Sequence, residues 1–285
     1  MGVADVVPGV SGGTIAFITG IYQRLINALA TCTPASLIVW RKKGFKAFTQ
    51  KTDLYFLLVL FTSIAVAAKL FAGIVIYALL HHTQFVWAFF SGLILATVWF
   101  LLKMLGRPRP QEMIALVLGA ALVFYIARYL SADLPASPIV FFCSGFVAIC
   151  AMILPGVSGS AILLVIGVYP DFLRAIDDTD LAMIASFLAG CIAGLMTFSR
   201  LLRYVFKRFY RTTIATITGL LTGSLYVTWP FKYLGSDTTI NSLGSAKNMN
   251  IFDVINSGLT VTDSLMILLA TAVGFMTIAL SERFS

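Results

Sequence analysis

Apolar residues dominate six stretches of the chain: 54–79, 84–105, 112–130, 181–203, 213–230 and 264–281. Each is close to the roughly 20 apolar residues that a helix needs to cross bilayer hydrocarbon. Two further apolar stretches, 139–154 and 160–169, fall below the roughly 17-residue minimum for a span and read as half-helices that enter and leave by one face. Polar sequence separates these runs. Trp40-Arg-Lys-Lys-Gly-Phe-Lys46, inside a basic insert of about 30–52, reads as an amphipathic segment lying on the membrane surface. Residues 234–250 turn to Gly, Ser, Thr and Asn, within a polar outer loop of about 231–263. The pattern predicts an all-α integral membrane protein with a single membrane domain over 1–285.

Composition agrees, with 59% hydrophobic and 11% charged residues and a mean hydropathy of +0.95. Soluble domains are about 45–50% apolar and 25% charged. The net charge of +8 does not point to nucleic acid, because the basic residues lie beside apolar spans. With 24–51 cytoplasmic, the inner segments also include 103–112 and 200–211, and together with Arg283 these hold fifteen of the twenty Lys and Arg. Arg128, Arg174, Lys232 and Lys247 fall on the other side with Asp171, Asp177, Asp178 and Asp180, which is the positive-inside pattern. Arg24, Arg128, Arg174 and Arg200, near span ends, read as snorkelling side chains. The four cysteines form no C-x-x-C pair and the two histidines, His81 and His82, are adjacent. Neither a metal nor another cofactor is expected from such spacing. Met1 to Val7 has no basic signal-peptide region, and Val6 departs from the N-myristoylation pattern, so the first span serves for insertion.

The chain repeats itself. Pro8-Gly-Val-Ser-Gly12 running on to Gly20-Ile-Tyr22 returns as Pro155-Gly-Val-Ser-Gly159 running on to Gly167-Val-Tyr169, at an offset of 147 (8 to 155, 22 to 169). Further on, Asp53-Leu54 aligns with Asp180-Leu181 and Ser91-Gly-Leu93 with Thr218-Gly-Leu220, at an offset of 127. The repeats are 1–131 and 138–285, with about twenty extra residues in the first. Each holds a broken-helix hairpin followed by three crossings, an odd number, so the expected arrangement is inverted-topology repeats with re-entrant hairpins. In the first repeat seven residues precede Pro8, which leaves its descending half-helix nearly missing.

Chemistry concentrates at the breaks. Proline removes a backbone donor and pushes the residue before it out of the helical region, so Val7 and Leu154 end helical runs. Gly9 and Gly156 permit a tight turn. Ser11 and Ser158 then take N-cap positions, with Gly12, Gly13, Thr14, Gly159 and Ser160 presenting backbone donors. A helix start of this kind attracts anions. In a membrane, irregular backbone survives only where protein or a wet cavity surrounds it. The bland alternative is close packing through small residues. Intramembrane charge is costly and usually functional, and Lys69 lies sixteen residues into the 54–79 run, opposite Met196 in the repeat. Asp5 lies three residues before Pro8, opposite Met152. Lys69 is the candidate counter-charge for a bound anion, and Asp5 its partner or a proton carrier.

The run Asp5-Val-Val-Pro-Gly-Val-Ser-Gly-Gly-Thr14 with Gly20-Ile-Tyr22, followed by Leu154-Pro-Gly-Val-Ser-Gly159, resembles the bacterial undecaprenyl-phosphate (polyprenyl-phosphate) translocase family over essentially the whole chain. The short lead into the first motif departs from that family. The resemblance implies a multi-pass protein of the bacterial cytoplasmic (inner) membrane, not an enzyme, whose partner is the lipid undecaprenyl phosphate. It implies return of that carrier from the outer to the inner leaflet for reuse in peptidoglycan and other envelope polymers. Moving a negative charge inward opposes an inside-negative potential at about 2.3 kcal/mol per charge per 100 mV. A phosphate monoester titrates near pH 6, so proton coupling is expected. Two rivals stand beside this reading. Membrane undecaprenyl-pyrophosphate phosphatases are similar in their repeats and Pro-Gly-x-Ser motif, but carry an Arg where Gly12 and Gly159 stand here, and buried Glu where this chain has Glu112 and Glu282 near span ends. A small-anion transporter or channel needs a polar path, and the spans offer little beyond scattered Ser and Thr.

Overall fold

The computed structural model describes residues 1–285 apart from 6–10, 33, 130–135, 156, 160–161, 164–165, 233–247, 250–252, 255–260 and 284–285. The described residues are overwhelmingly helical: α1 (Gly2–Asp5), α2 (Gly12–Ile18), α3 (Tyr22–Thr31), α4 (Pro34–Thr52), α5 (Leu54–His81), α6 (Thr83–Leu105), α7 (Pro110–Tyr129), α8 (Pro138–Ile153), α9 (Tyr169–Asp177), α10 (Leu181–Arg208), α11 (Tyr210–Val227) and α12 (Val261–Arg283). The only β pairing among them is an isolated antiparallel bridge between Lys232 and Asn248. Six of these helices fall on the six expected spans, with ends shifted by a few residues.

Among the described residues, four helices, α5, α6, α10 and α12, contain segments long and apolar enough to cross a membrane. α5 and α12 turn most of their apolar side chains outward, including Leu58, Phe61, Leu70 and Ile74 on one and Leu265, Leu268, Val273 and Met276 on the other. A surface this apolar is stable against lipid tails, not water. The centre is different. α6 and α11 bury Trp87, Ile94 and Leu101 and Ile214, Ile217 and Leu221. α11 also carries five threonines, and Thr213, Thr216, Thr218 and Thr222 each return their hydroxyl to the carbonyl four residues earlier. Those bonds satisfy the hydroxyls within the helix, so a threonine-rich helix is tolerated at the bundle centre.

Glycines set how closely the helices approach. A Cβ on Gly219 of α11 would lie 2.1 Å from the Leu116 carbonyl oxygen of α7, and one on Gly119 would lie 2.6 Å from that of Thr216. The pair α6 and α12 repeats this contact: Gly92 faces Thr271 O and Gly274 faces Phe89 O, each at 2.1 Å from the added Cβ. Gly92 and Phe89 stand 127 residues before Gly219 and Thr216, and Leu116 and Gly119 stand 155 before Thr271 and Gly274, so both contacts use equivalent positions. α5 and α10 are equivalent too, each of 28 residues at the same 127 offset. α8 runs parallel to α10 through Gly190 on Phe142 and Gly194 on Phe146, while Gly2 of α1 meets Ile64 of α5.

The motif's later part also repeats in three dimensions. Gly20 (φ 73°) and Gly167 (φ 76°) take the left-handed conformation that glycine adopts without strain. Ile21 N bonds Ala16 O, and Val168 N bonds Leu163 O, both at 3.1 Å. This six-to-one bond with a positive-φ glycine is the Schellman ending, and it stops each short helix just before the tyrosine that opens α3 or α9. The expected half-helix over 160–169 therefore stops at Gly167, and Tyr169 belongs to the next element. The basic insert is α4, interrupted at Gly44 (φ 81°), with Trp40 and Phe45 exposed.

Candidate functional site

α8 ends where the proline rule requires it to. Leu154 adopts φ −70° and ψ 126°, because Pro155 excludes the helical region for the residue before it. The chain turns through a Val157 N to Leu154 O bond of 3.3 Å and doubles back along α8: a Cβ on Gly159 would lie 2.8 Å from Ala148 O. Leu163 then joins Phe141, Ala148 and Phe187 in one buried cluster. Ser158 is buried, and its carbonyl accepts from Ile162 N at 3.1 Å, opening the returning helical turn.

Ser11 caps α2 as its sequence context predicts. Its backbone is extended (φ −113°, ψ 130°) and Oγ accepts from Gly13 N at 3.1 Å. The same hydroxyl donates to Met152 O at 3.1 Å and reaches Leu154 O at 3.4 Å, although 141 and 143 residues separate them. Gly13 lies so close to the α8 end that an added Cβ would meet Ile153 O at 2.8 Å and Met152 O at 3.0 Å. The first serine turn thus sits directly on the helix end that precedes the second. Ser11, Gly12, Gly13 and Thr14 are all buried there. Gly9, Gly156 and Ser160 lie outside the described residues.

The two charged candidates fare differently. Lys69 is on α5 with its side chain exposed, so it faces the surroundings of the bundle and not its packed interior. Asp5 closes α1, and its side chain lies outside the described residues. Of the arginines read as snorkelling, Arg24 is bound in a fork to Asp53, Nε to Oδ2 at 2.6 Å and Nη2 to Oδ1 at 3.1 Å, with its guanidinium 4.3 Å from the Phe56 ring centre. That hydrogen bonding holds the Asp53 carboxyl below its usual range. Arg174 pairs with Asp171 at 3.1 Å on the surface of α9. The Arg128 side chain is outside the described residues, and Arg200 is exposed near the end of α10.

Three features had no signal in the sequence. The carbonyls of Met152 and Leu154, as partners of Ser11, carry none because every residue has a carbonyl. Glu112, nearly fully buried at the start of α7, accepts from Arg211 Nε at 2.7 Å and Nη2 at 3.0 Å, and from the Arg109 backbone at 2.9 Å. Arg211 also donates to Leu105 O at 2.9 Å, tying the α6–α7 turn to the start of α11. Lys232, just past α11, is buried with Nζ 3.9 Å from the Trp87 ring centre and 2.9 Å from Val227 O.

Comparison with known proteins follows the same line. A family profile described as undecaprenyl phosphate translocase-like matches residues 1–246. A curated relative from Vibrio cholerae, named polyprenyl-phosphate transporter, is 40% identical over 232 residues, covering 81% of this chain and 75% of its own. A relative of the same name from Staphylococcus aureus is 30% identical over 248 residues, 81% of this chain and 83% of its own. No solved structure gives a significant match. Apolar helices, a doubled proline-serine break and these relatives make this chain a multi-pass membrane protein that belongs to the undecaprenyl phosphate translocase-like family.

Proposed function

We propose that this protein is a translocase that returns undecaprenyl phosphate from the outer to the inner leaflet of the bacterial cytoplasmic membrane, in exchange for no chemical change in the lipid and with protons moving alongside. The observation that carries the reading is the bond from Ser11 Oγ to Met152 O, which joins the first break to the helix end that leads into the second. In this conformation Ser11 and Gly13 spend their polar groups on each other and on the α8 end. A phosphate head group that displaced the α8 carbonyls would meet a serine hydroxyl and helix-start amides instead. The repeats, taken as inverted, aim two such starts at one level from opposite faces, and the tail stays in lipid throughout. Lys69, exposed on α5, stands as the counter-charge for a head group that travels along the bundle surface, and Asp5 as its partner or proton carrier.

The printed names of the relatives support transport of a polyprenyl phosphate over hydrolysis. Glu112 is engaged by Arg211, so it is not an available acid or base at a serine turn. The test is a leaflet assay: purified protein in liposomes, C55 phosphate in one leaflet, and an imposed pH gradient or voltage. Transport that quickens when the donor side is acidified is the expected result. Transport indifferent to both gradients removes the coupling, no movement of lipid removes the function, and release of phosphate from the pyrophosphorylated lipid favours the hydrolase.

A further inference from the structure

α10 carries no Lys, Arg, Asp or Glu from Leu181 to Ser199, nineteen residues, and then places Arg200, Arg203 and Lys207 in succession. At 1.5 Å per residue that uncharged run is about 28 Å long, close to the thickness of bilayer hydrocarbon. The three cations therefore stand at head-group depth. Their spacing of three and four residues puts them on one face of α10. That face borders a cavity of about 700 Å³ whose other wall is α3, with Gln23 and Asn27. No carboxylate lines it, and none of the three cations makes an ion pair or hydrogen bond among the described residues. Arg24, the nearest cation on α3 in sequence, is by contrast committed to Asp53.

Orientation of the membrane protein accounts for basic residues at this end, but not for three of them lining one cavity with the Gln23 and Asn27 amides opposite and the Tyr204 and Tyr210 phenols beside them. The repeat provides the comparison. The equivalent positions on α5 are Gly73, Ile76 and Leu80, so the first half has no such set. The device belongs to one end of the molecule, the basic end that the charge bias assigns to the cytoplasm.

We propose that this cavity is a binding site for a phosphate monoester head group at the inner-leaflet interface. A monoester carries about −1.5 to −2 charge near neutral pH and three acceptor oxygens, which suits two guanidinium groups and an ammonium in one pocket better than a singly charged diester does. Arg200 and Arg203 supply planar donor forks, and Lys207 a point charge. Assigning the site to the exit of the transported lipid rests on the transport reading above; binding of the phosphate group does not.

The experiment uses the full chain in nanodiscs of phosphatidylcholine, titrated with a short-chain polyprenyl monophosphate, with phosphatidylglycerol and inorganic phosphate as separate competitors. The expected result is saturable binding that weakens by about tenfold or more in an Arg200→Gln, Arg203→Gln, Lys207→Gln variant, the loss of about one charge-assisted bond. An Arg200→Lys, Arg203→Lys variant that recovers binding in part, at an unchanged unfolding temperature, separates charge from folding. Unaltered binding in the triple Gln variant overturns the site. Equal competition by phosphatidylglycerol overturns its preference for a monoester, and equal competition by inorganic phosphate overturns the lipid as its ligand. A protein that binds through these residues yet moves no lipid keeps the site and loses the transport reading. Transport at the full rate by the triple variant does the reverse for the exit assignment.

Discussion

Replacing Ser11 with alanine removes one oxygen and three interactions. The cap on α2 goes, because Gly13 N loses the Oγ it bonds at 3.1 Å; the bond to Met152 O and the weaker approach to Leu154 O go with it. Loss of an N-cap serine costs about 0.5–2 kcal/mol. An interhelical side-chain bond inside a membrane protein averages about 0.6 kcal/mol. Ser11 is only 2% exposed, so water does not replace what is lost. The sum expected for Ser11→Ala is about 1–3 kcal/mol, concentrated at the junction of the two breaks. Two readouts are needed: thermal unfolding in detergent and C55 phosphate movement in liposomes. The unfolding temperature falls modestly, while transport falls by about tenfold or more if the serine also serves the head group, since each 1.4 kcal/mol in a barrier is a factor of ten. Gly13→Ala leaves the hydroxyl but drives a methyl onto backbone oxygens at 2.8 and 3.0 Å, and should impair transport as well. If Ser11→Ala kept both the wild-type rate and the wild-type stability, the junction would be incidental and the mechanism built on it would fall.

Gly92→Ala and Gly219→Ala each place a methyl about 2.1 Å from a facing carbonyl and should destabilise by about 1–3 kcal/mol, as overpacking does. Gly73→Ala, with nothing within 4 Å of its added carbon, should instead be neutral or stabilising by up to about 1 kcal/mol; equal effects at the three positions in thermal unfolding would contradict the packing. Burial lowers the Lys232 pKa from 10.5 to about 8. Below pH 8 the folded protein carries that buried charge at a cost of up to about 3 kcal/mol, and between pH 8 and 10.5 the unfolded chain holds a proton the folded one has released, so stability rises with pH. Lys232→Met should therefore unfold at a higher temperature at pH 7, with the advantage shrinking toward pH 10.5; a constant difference across that range would show that desolvation is not the cause. Glu112→Ala and Arg211→Ala should each lower the unfolding temperature, and the double variant by less than the two together, because each single change already strands its own partner.

The apolar runs were enough to place six long helices within a few residues, since a hydrocarbon solvent forces the backbone to satisfy its own hydrogen bonds and makes length and apolarity decisive. Local rules also located the end of α8 at Leu154, the cap at Ser11 and the doubled motif, because Pro155, Ser11 and Gly20 act on their immediate neighbours. The sequence did not carry which ends meet. Ser11 and Met152 touch across 141 residues, and Arg211 and Glu112 across 99, through groups whose own neighbourhoods give no hint of a partner. Position near a span end likewise gave no sign that Arg24 pairs with Asp53, 29 residues away. Periodicity and propensity describe one element at a time, whereas a junction between two helix ends, or a cavity between a basic stripe and a neighbouring helix, exists only once packing has fixed the distances between them.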